Sequence, residues 1–330
     1  MQPPELVCPA CGTQLSPAFL SCPVCHRLVH ADELKRLAIQ AEQATDDATA
    51  LAAWRRALEL LPRDSSQFQQ IAGKVTELSN RIDTGKKPAS EHKGAWGKVA
   101  GGVGAAVVFL LTKGKLLLLG LANAQTLFSM LLSLGVYWTA WGWKLAGGLI
   151  LSIYVHEMGH VFALQRFGIK ATAPMFIPGV GAIVQLRQTL ATAREDARVG
   201  LAGPLWGLGA AVVAYGAFLA TEVGLWAAIA QVGAWINLFN LTPIWQLDGG
   251  RGFRSLSRPQ RWIAVAVIAG MFFVTKEGLL ILTLVVAILR ALGPNAAKEP
   301  DHKGLAQYIV LIVILAAMTE IPVPTGAVTR

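Results

Sequence analysis

Leu145-Ala-Gly-Gly-Leu-Ile-Leu-Ser-Ile-Tyr-Val-His156-Glu157-Met-Gly-His160-Val-Phe-Ala-Leu-Gln-Arg-Phe167 is an apolar run long enough to cross a bilayer as a helix. His156, Glu157 and His160 lie inside it. Two histidines four residues apart on a helix sit one turn above the other, so both imidazoles reach one metal ion. Glu157 is offset around the helix yet close enough to act as general base on a metal-bound water. On a soluble surface helix the same pattern would be unremarkable. Inside an apolar span, three ionisable side chains are costly to place, and their presence points to function.

The rest of the chain supports a membrane setting. Of 330 residues 54% are hydrophobic and 15% charged, with a mean hydropathy of +0.49, and a soluble domain of this length carries more surface charge. The apolar residues are unevenly placed: Met1–Lys93 is polar, and long apolar runs follow Trp96. The spans expected are Leu116–Trp138, Trp143–Arg166, Arg198–Thr221, Val223–Leu241, Trp262–Val274, Gly278–Arg290 and Leu305–Met318. Val99–Leu111 reads as an interfacial or re-entrant segment, because a crossing there would strand Lys113 and Lys115 outside. The net charge of +9 sits mainly beside apolar runs, as in cytoplasmic loops, so no nucleic-acid partner is expected. From a cytoplasmic N-terminus this scheme places Arg166, Arg198, Arg251, Arg254, Arg258 and Arg261 inside, and the turn at Glu222, which has no basic residue, outside. The opening prolines and cysteine pair do not read as a cleavable signal peptide.

All four cysteines fall within the first 25 residues, as Cys8-Pro-Ala-Cys11 and Cys22-Pro-Val-Cys25. Paired thiolates on tight turns suit a tetrahedral structural zinc. The alternative, two disulfides, needs an oxidising compartment. His26 and His30 lie nearby, but four thiolates already fill such a site. Residues 1–30 therefore read as a zinc ribbon. Residues 31–82 read as a helical hairpin, with Leu51, Trp54, Leu58 and Leu61 at helical spacing, then Phe68, Ile71, Val75, Leu78 and Ile82. Pro62 ends the first run and Asp64 or Ser65 caps the next. Ala53–Pro62 resembles the second half of a tetratricopeptide repeat, equally consistent with a packed hairpin or a partner-binding surface. Residues 83–97 read as a linker, 98–320 as the membrane-embedded domain, and 321–330 as a tail. The fold class expected is mainly α: a polytopic transmembrane bundle with a re-entrant hairpin, preceded by the ribbon and the soluble hairpin.

A catalytic zinc needs a third protein ligand. Asp248 follows an apolar helix broken at Pro243, at the same end as the first motif, in Asn240-Leu-Thr-Pro243-Ile-Trp-Gln-Leu247-Asp248-Gly249-Gly250. Alone, Asp-Gly-Gly is ordinary turn chemistry. Together the two motifs resemble the intramembrane site-2 protease family of zinc metallopeptidases. That family pairs His-Glu-x-x-His in one transmembrane helix with Asn-x-x-Pro-x-x-x-Leu-Asp-Gly in a later one. Pro174-Met-Phe-Ile-Pro178-Gly179-Val-Gly181-Ala182 and Ala202-Gly203-Pro204-Leu205 extend the likeness, which covers Leu116–Leu256. The resemblance implies that His156, His160 and Asp248 bind a catalytic zinc and that Glu157 activates water as general base. It implies further that Asn240 contacts the substrate carbonyl or the oxyanion, although Asn240 could equally hydrogen-bond a neighbouring helix. Two zinc ions are thus expected, one catalytic and one structural, held by Cys8, Cys11, Cys22 and Cys25.

The Pro- and Gly-rich stretch Ala171–Gln188 suits an extended hairpin whose edge could take up an unwound substrate strand, with a loop dipping into headgroups as the alternative. Gly203 and Gly207, spaced Gly-x-x-x-Gly, suit close helix packing. Trp138, Trp141 and Trp143 read as an interfacial belt. The activity expected is hydrolysis of peptide bonds in or near transmembrane segments of a membrane-protein substrate, with lipid around the bundle and a protein partner for the N-terminal part. The competing expectation is a catalytically silent membrane scaffold recruiting partners through ribbon and hairpin. A zinc transporter fits less well, because its ligands would be spread over several spans.

Overall fold

A computed structural model describes residues 6–16, 19–85, 123–169, 174–177, 181–183, 190–244 and 247–324. The interfacial segment 99–111, most of the 83–97 linker and the end of the tail lie outside the described residues. The chain divides into two units, Met1–Ser90 with Gln165–Ile169, and Glu91–Leu164 with Lys170–Arg330.

The first unit opens with strands β1 (Leu6–Val7) and β2 (Gln14–Leu15), paired antiparallel with Leu6 opposite Leu15. Helices α1 (Ala31–Glu42), α2 (Asp47–Glu59) and α3 (Ser66–Thr84) follow and pack in succession. Asp46 caps α2 by accepting from the Thr49 N–H at 2.8 Å, and Ser65 caps α3 by accepting from Phe68 N–H at 3.2 Å. The stretch read as a hairpin therefore contains a third helix. α1 turns Leu34, Leu37, Ala38 and Ala41 to its sheltered face at helical spacing, between the charged Asp32, Glu33, Lys35 and Arg36.

The second unit is helical: α4 (Ala124–Trp141), α5 (Trp143–Arg166), α6 (Ala193–Thr221), α7 (Gly224–Asn240), the short α8 (Asp248–Arg254), α9 (Arg258–Thr275), α10 (Leu279–Leu292) and α11 (His302–Met318). Most of their bounds follow the expected spans to within a turn, but α6 begins five residues before the expected Arg198 and α9 four before the expected Trp262, and Leu116–Ala122 lies outside the described residues. Among the described residues α5 and α6 are long and apolar enough to cross a membrane. Large apolar side chains face outward, among them Phe128 (72% exposed), Val213 (73%) and Val274 (77%), the reverse of a soluble surface. The interior is filled by Leu201, Leu238, Leu241, Phe253, Ile268 and Tyr308, all buried. α6 packs along α7 and α8, while α11 braces α7 and α9.

Strands β3 (Met175–Ile177) and β4 (Gly181–Ile183) form a hairpin, Phe176 opposite Ala182. It is tied to α4, where the Thr126 hydroxyl donates to the Pro174 carbonyl at 2.7 Å and the Phe176 N–H donates to the Ser129 hydroxyl at 3.0 Å. The extended hairpin expected in Ala171–Gln188 is thus present over the part described.

Candidate metal centre

The break after α7 is what brings a distant carboxylate to the histidine helix. α7 ends at Asn240, and Pro243 prevents its continuation. The Leu241 carbonyl accepts from the buried Tyr308 hydroxyl at 2.7 Å, and the Pro243 carbonyl accepts from Arg290 Nε at 3.1 Å, which pins the connection. Gly249 then lies against the Leu241 backbone so closely that a Cβ would overlap its carbonyl oxygen. Asp248 is set at the first residue of α8, where a carboxylate is favoured by the helix dipole.

From that position Asp248 faces both imidazoles. Its Oδ2 lies 3.1 Å from His156 Nε2, its Oδ1 lies 3.2 Å from His160 Nε2, and the two Nε2 atoms are 3.2 Å apart. The three side chains offer ligand atoms that converge on one point and are buried. The far sides of the rings are also fixed. His156 Nδ1–H donates to Asn237 Oδ1 at 2.7 Å, and His160 Nδ1–H donates to the Val199 carbonyl at 2.8 Å. Both tautomers therefore leave an Nε2 lone pair facing the cluster, the form a metal takes. Asn237 is oriented in turn by donating from Nδ2 to the Gly233 carbonyl at 2.7 Å.

Two glycines of α6 make room for this arrangement. A Cβ on Gly203 would overlap the rings of His160 and His156, and one on Gly207 would overlap the Asn237 amide. The Gly-x-x-x-Gly spacing, expected to serve close helix packing, thus admits two imidazoles and an amide. Glu157, also buried, lines the same cavity of about 930 Å³. Asn240 lines it too, half-buried, but it is Asn237, one turn earlier, that joins the hydrogen-bonded cluster. Sequence reading passed over Asn237, although an amide in an otherwise apolar span was a signal of the same kind as His156. Arg251 reaches the cavity while its Nε donates to Asp196 at 2.8 Å. Trp141, one of the expected belt residues, lines the cavity as well.

Two nitrogens and a carboxylate oxygen, with their tautomers fixed and a cavity on one side, fit a catalytic zinc, which takes three protein ligands and keeps a position open.

The cysteines form a second cluster in the first unit. Cys8 Sγ lies 3.6 Å from Cys25 Sγ and Cys11 Sγ lies 3.5 Å from Cys22 Sγ. These distances are far beyond a disulfide bond (~2.05 Å) and close to the ~3.8 Å edge of a tetrahedron with ~2.3 Å zinc–sulfur bonds. Each pair closes a tight turn, with the Gly12 N–H donating to the Cys8 carbonyl and the His26 N–H to the Cys22 carbonyl, both at 2.9 Å. The Thr13 hydroxyl and N–H hold the Cys11 thiol down to about 6. At Cys25 the Arg27 N–H favours the thiolate, but desolvation and the neighbouring thiols outweigh it and push that thiol up to about 12. The cluster fits the expected ribbon; the tetratricopeptide likeness of α2 remains a sequence resemblance.

Residues 144–223, from the histidine helix through α6, match the model of peptidase family M50. The chain is 25% identical over 113 residues to "Zinc metalloprotease MJ0392" of Methanocaldococcus jannaschii, covering 33% of this chain and 32% of that protein. It is 28% identical over 179 residues to "Probable zinc metalloprotease EGY1, chloroplastic" of Arabidopsis thaliana, covering 51% of this chain and 32% of that one. The matches thus span about a third of the length of either curated relative. No solved structure matches the chain. The matched family segment ends before Asp248, which the fold returns to the histidines. The helix that carries His156, Glu157 and His160 and the glycine-bearing helix α6 are thus the part of the chain that is similar to peptidase family M50.

Proposed function

We propose that this protein is a multi-pass membrane zinc metalloprotease of site-2 type, with its N-terminal unit in the cytoplasm, that hydrolyses peptide bonds in or near transmembrane segments. The observation that carries the reading is the convergence of His156, His160 and Asp248 within 3.2 Å of one another in a helical unit whose outer faces are apolar. A zinc ion held by His156, His160 and Asp248 would supply Lewis acidity toward a peptide carbonyl and toward the attacking water.

The chain's own residues do the rest. Asn237 and Val199 hold the two imidazoles in the ligating tautomer through their Nδ1 protons. Glu157, buried in the cavity wall, takes the proton of the attacking water on its carboxylate and returns one to the departing amine. Asn240, at the cavity edge, donates its amide to the carbonyl oxygen of the bound peptide. Because a helix keeps its carbonyls in internal hydrogen bonds, the substrate unwinds before it is cut. The apolar wall provided by Trp141, Trp235 and Ile236 suits the side chains of such an extended segment. The edge of the β3–β4 hairpin, whose Ala182 lines the cavity, suits its main chain.

The test is the Glu157→Gln variant of the full chain, co-expressed with a membrane-protein substrate found by comparing membrane proteomes. The variant keeps its zinc and loses cleavage. Unchanged cleavage by Glu157→Gln rejects the enzyme reading in favour of a silent scaffold.

A further inference from the structure

A second, smaller cavity of about 170 Å³ lies at the end of the membrane unit where α8, α9 and α10 meet, and is lined by Phe253, Arg254, Arg261, Arg290 and Asn295. Three arginines and no carboxylate face it. The acids nearby are committed elsewhere: Asp196 to Arg251 at 2.8 Å and Arg254 at 3.4 Å, Asp301 to Arg198 at 2.6 Å, Glu299 to Arg194 at 2.9 Å. Arg261 is 3% exposed, and its guanidinium donates to the carbonyls of Leu256, Arg290 and Asn295 at 3.2, 2.7 and 2.6 Å. Those acceptors satisfy its hydrogen bonds but leave its charge without a counterion. Among the described residues the Arg290 side chain donates from Nε alone, to the Pro243 carbonyl, which leaves its terminal nitrogens for a ligand.

The surroundings are amphipathic. Val285 (50% exposed), Leu289 (64%) and Leu292 (64%) form an outward stripe at i, i+4, i+7 on α10, the helix whose last turn also carries the cavity-lining Arg290. Trp262, 42% exposed, follows Arg261 directly, and tryptophan is favoured at the headgroup level. Basic pockets between membrane helices bind anionic headgroups, and guanidinium forks match phosphate oxygens.

We propose that this cavity binds the phosphate of an anionic phospholipid, with an acyl chain laid along Val285, Leu289 and Leu292. A zwitterionic lipid brings a second, cationic group that Arg261 and Arg290, neither of them paired with a carboxylate among the described residues, repel. A free phosphate has nothing to place on the leucine stripe. The proposal rests on the membrane reading of this unit and is independent of whether the unit cleaves peptides.

Delipidated full-length protein in detergent, titrated with dioleoyl-phosphatidylglycerol, dioleoyl-phosphatidylcholine or inorganic phosphate and read by native mass spectrometry, tests it. Phosphatidylglycerol binds about tenfold more tightly than phosphatidylcholine, and millimolar phosphate does not displace it. Arg290→Gln keeps the main-chain carbonyl that Arg261 uses and weakens phosphatidylglycerol about fivefold. Arg290→Lys retains most of the preference, and Arg194→Gln, away from this cavity, retains all of it. If Arg290→Gln does not fold, Arg254→Gln, whose side chain is 44% exposed, carries the same expectation. Equal binding of the two lipids, or a preference indifferent to Arg290 and Arg254, overturns the proposal. Displacement by phosphate alone overturns the lipid assignment.

Discussion

Asn237 Oδ1 accepts the Nδ1 proton of His156 at 2.7 Å, and the same amide is held from behind by the Gly233 carbonyl. The imidazole therefore has one tautomer and one ring orientation before any metal arrives. Second-sphere partners of this kind contribute about 10- to 100-fold in metal affinity. Asn237→Ala should weaken zinc at the histidine site by about that factor, and Asn237→Asp, which keeps an acceptor, by less. Chelator competition on purified protein measures both. Equal affinities for wild type and Asn237→Ala would show that the hydrogen bond does not position the ring.

Among the described glycines, Gly203 is the one at which an added Cβ would occupy the space of both imidazoles. Gly203→Ala should displace His160 or His156 and abolish zinc at that site, with activity falling in parallel. Gly209, on the same helix, has open space at its Cβ position, so Gly209→Ala should leave zinc content and cleavage unchanged. Zinc analysis of the two variants side by side checks this, since a general intolerance of the helix to alanine would affect both.

Arg198 and Asp301 form a bidentate pair at 2.6 and 3.0 Å, with side chains 8% and 3% exposed. Burial alone would raise the Asp301 carboxyl, but the Arg198 guanidinium and the Gly304 N–H bring it below the ordinary carboxylate range. Because its folded value is depressed, the pair's contribution is fully present above the unfolded value of ~3.9 and fades as pH falls through the lower folded value. Arg198→Met leaves a buried carboxylate without its partner and should cost about 3–5 kcal/mol at pH 7. Below pH ~4 that carboxyl is protonated in the variant, so the gap to wild type should narrow. Thermal melts in detergent at pH 7 and pH 4 measure it; a gap that widens in acid contradicts the assignment.

Glu157→Gln replaces a proton acceptor by an amide of the same shape. Cleavage should drop by about 10²- to 10⁴-fold while zinc content stays at the wild-type level. A single-turnover assay with reconstituted protein and substrate separates this outcome from a loss of folding.

Much of the site was legible in the residues themselves. His156 and His160 declare their shared face by spacing, and Glu157 by its burial cost in an apolar run. Asp248 was legible through the motif around it, because nothing local distinguishes Asp-Gly-Gly from a turn. Its approach to the imidazoles depends on Pro243, Gly249 and Tyr308 acting together, and no window of sequence contains all three. Asn237 and Gly203 show where reading stopped. The amide at Asn237 was visible as a polar residue in an apolar helix, but its partner, 81 positions earlier, was not. Gly203 read as a packing residue, and the identity of what packs there is a property of tertiary structure. α1 was legible in kind, since Leu34, Leu37, Ala38 and Ala41 keep a helical period; what was missed is that it forms a helix of its own before α2.

The central claim is that two histidines and Asp248 share one zinc ion, separate from the ion of the cysteine cluster. Zinc content per chain, measured by elemental mass spectrometry on purified full-length protein, tests it most directly. Wild type should carry two zinc ions, the His156→Ala, His160→Ala double variant one, and a variant with Cys8, Cys11, Cys22 and Cys25 replaced by serine also one. A histidine double variant that retains all the zinc of the wild type would contradict the account.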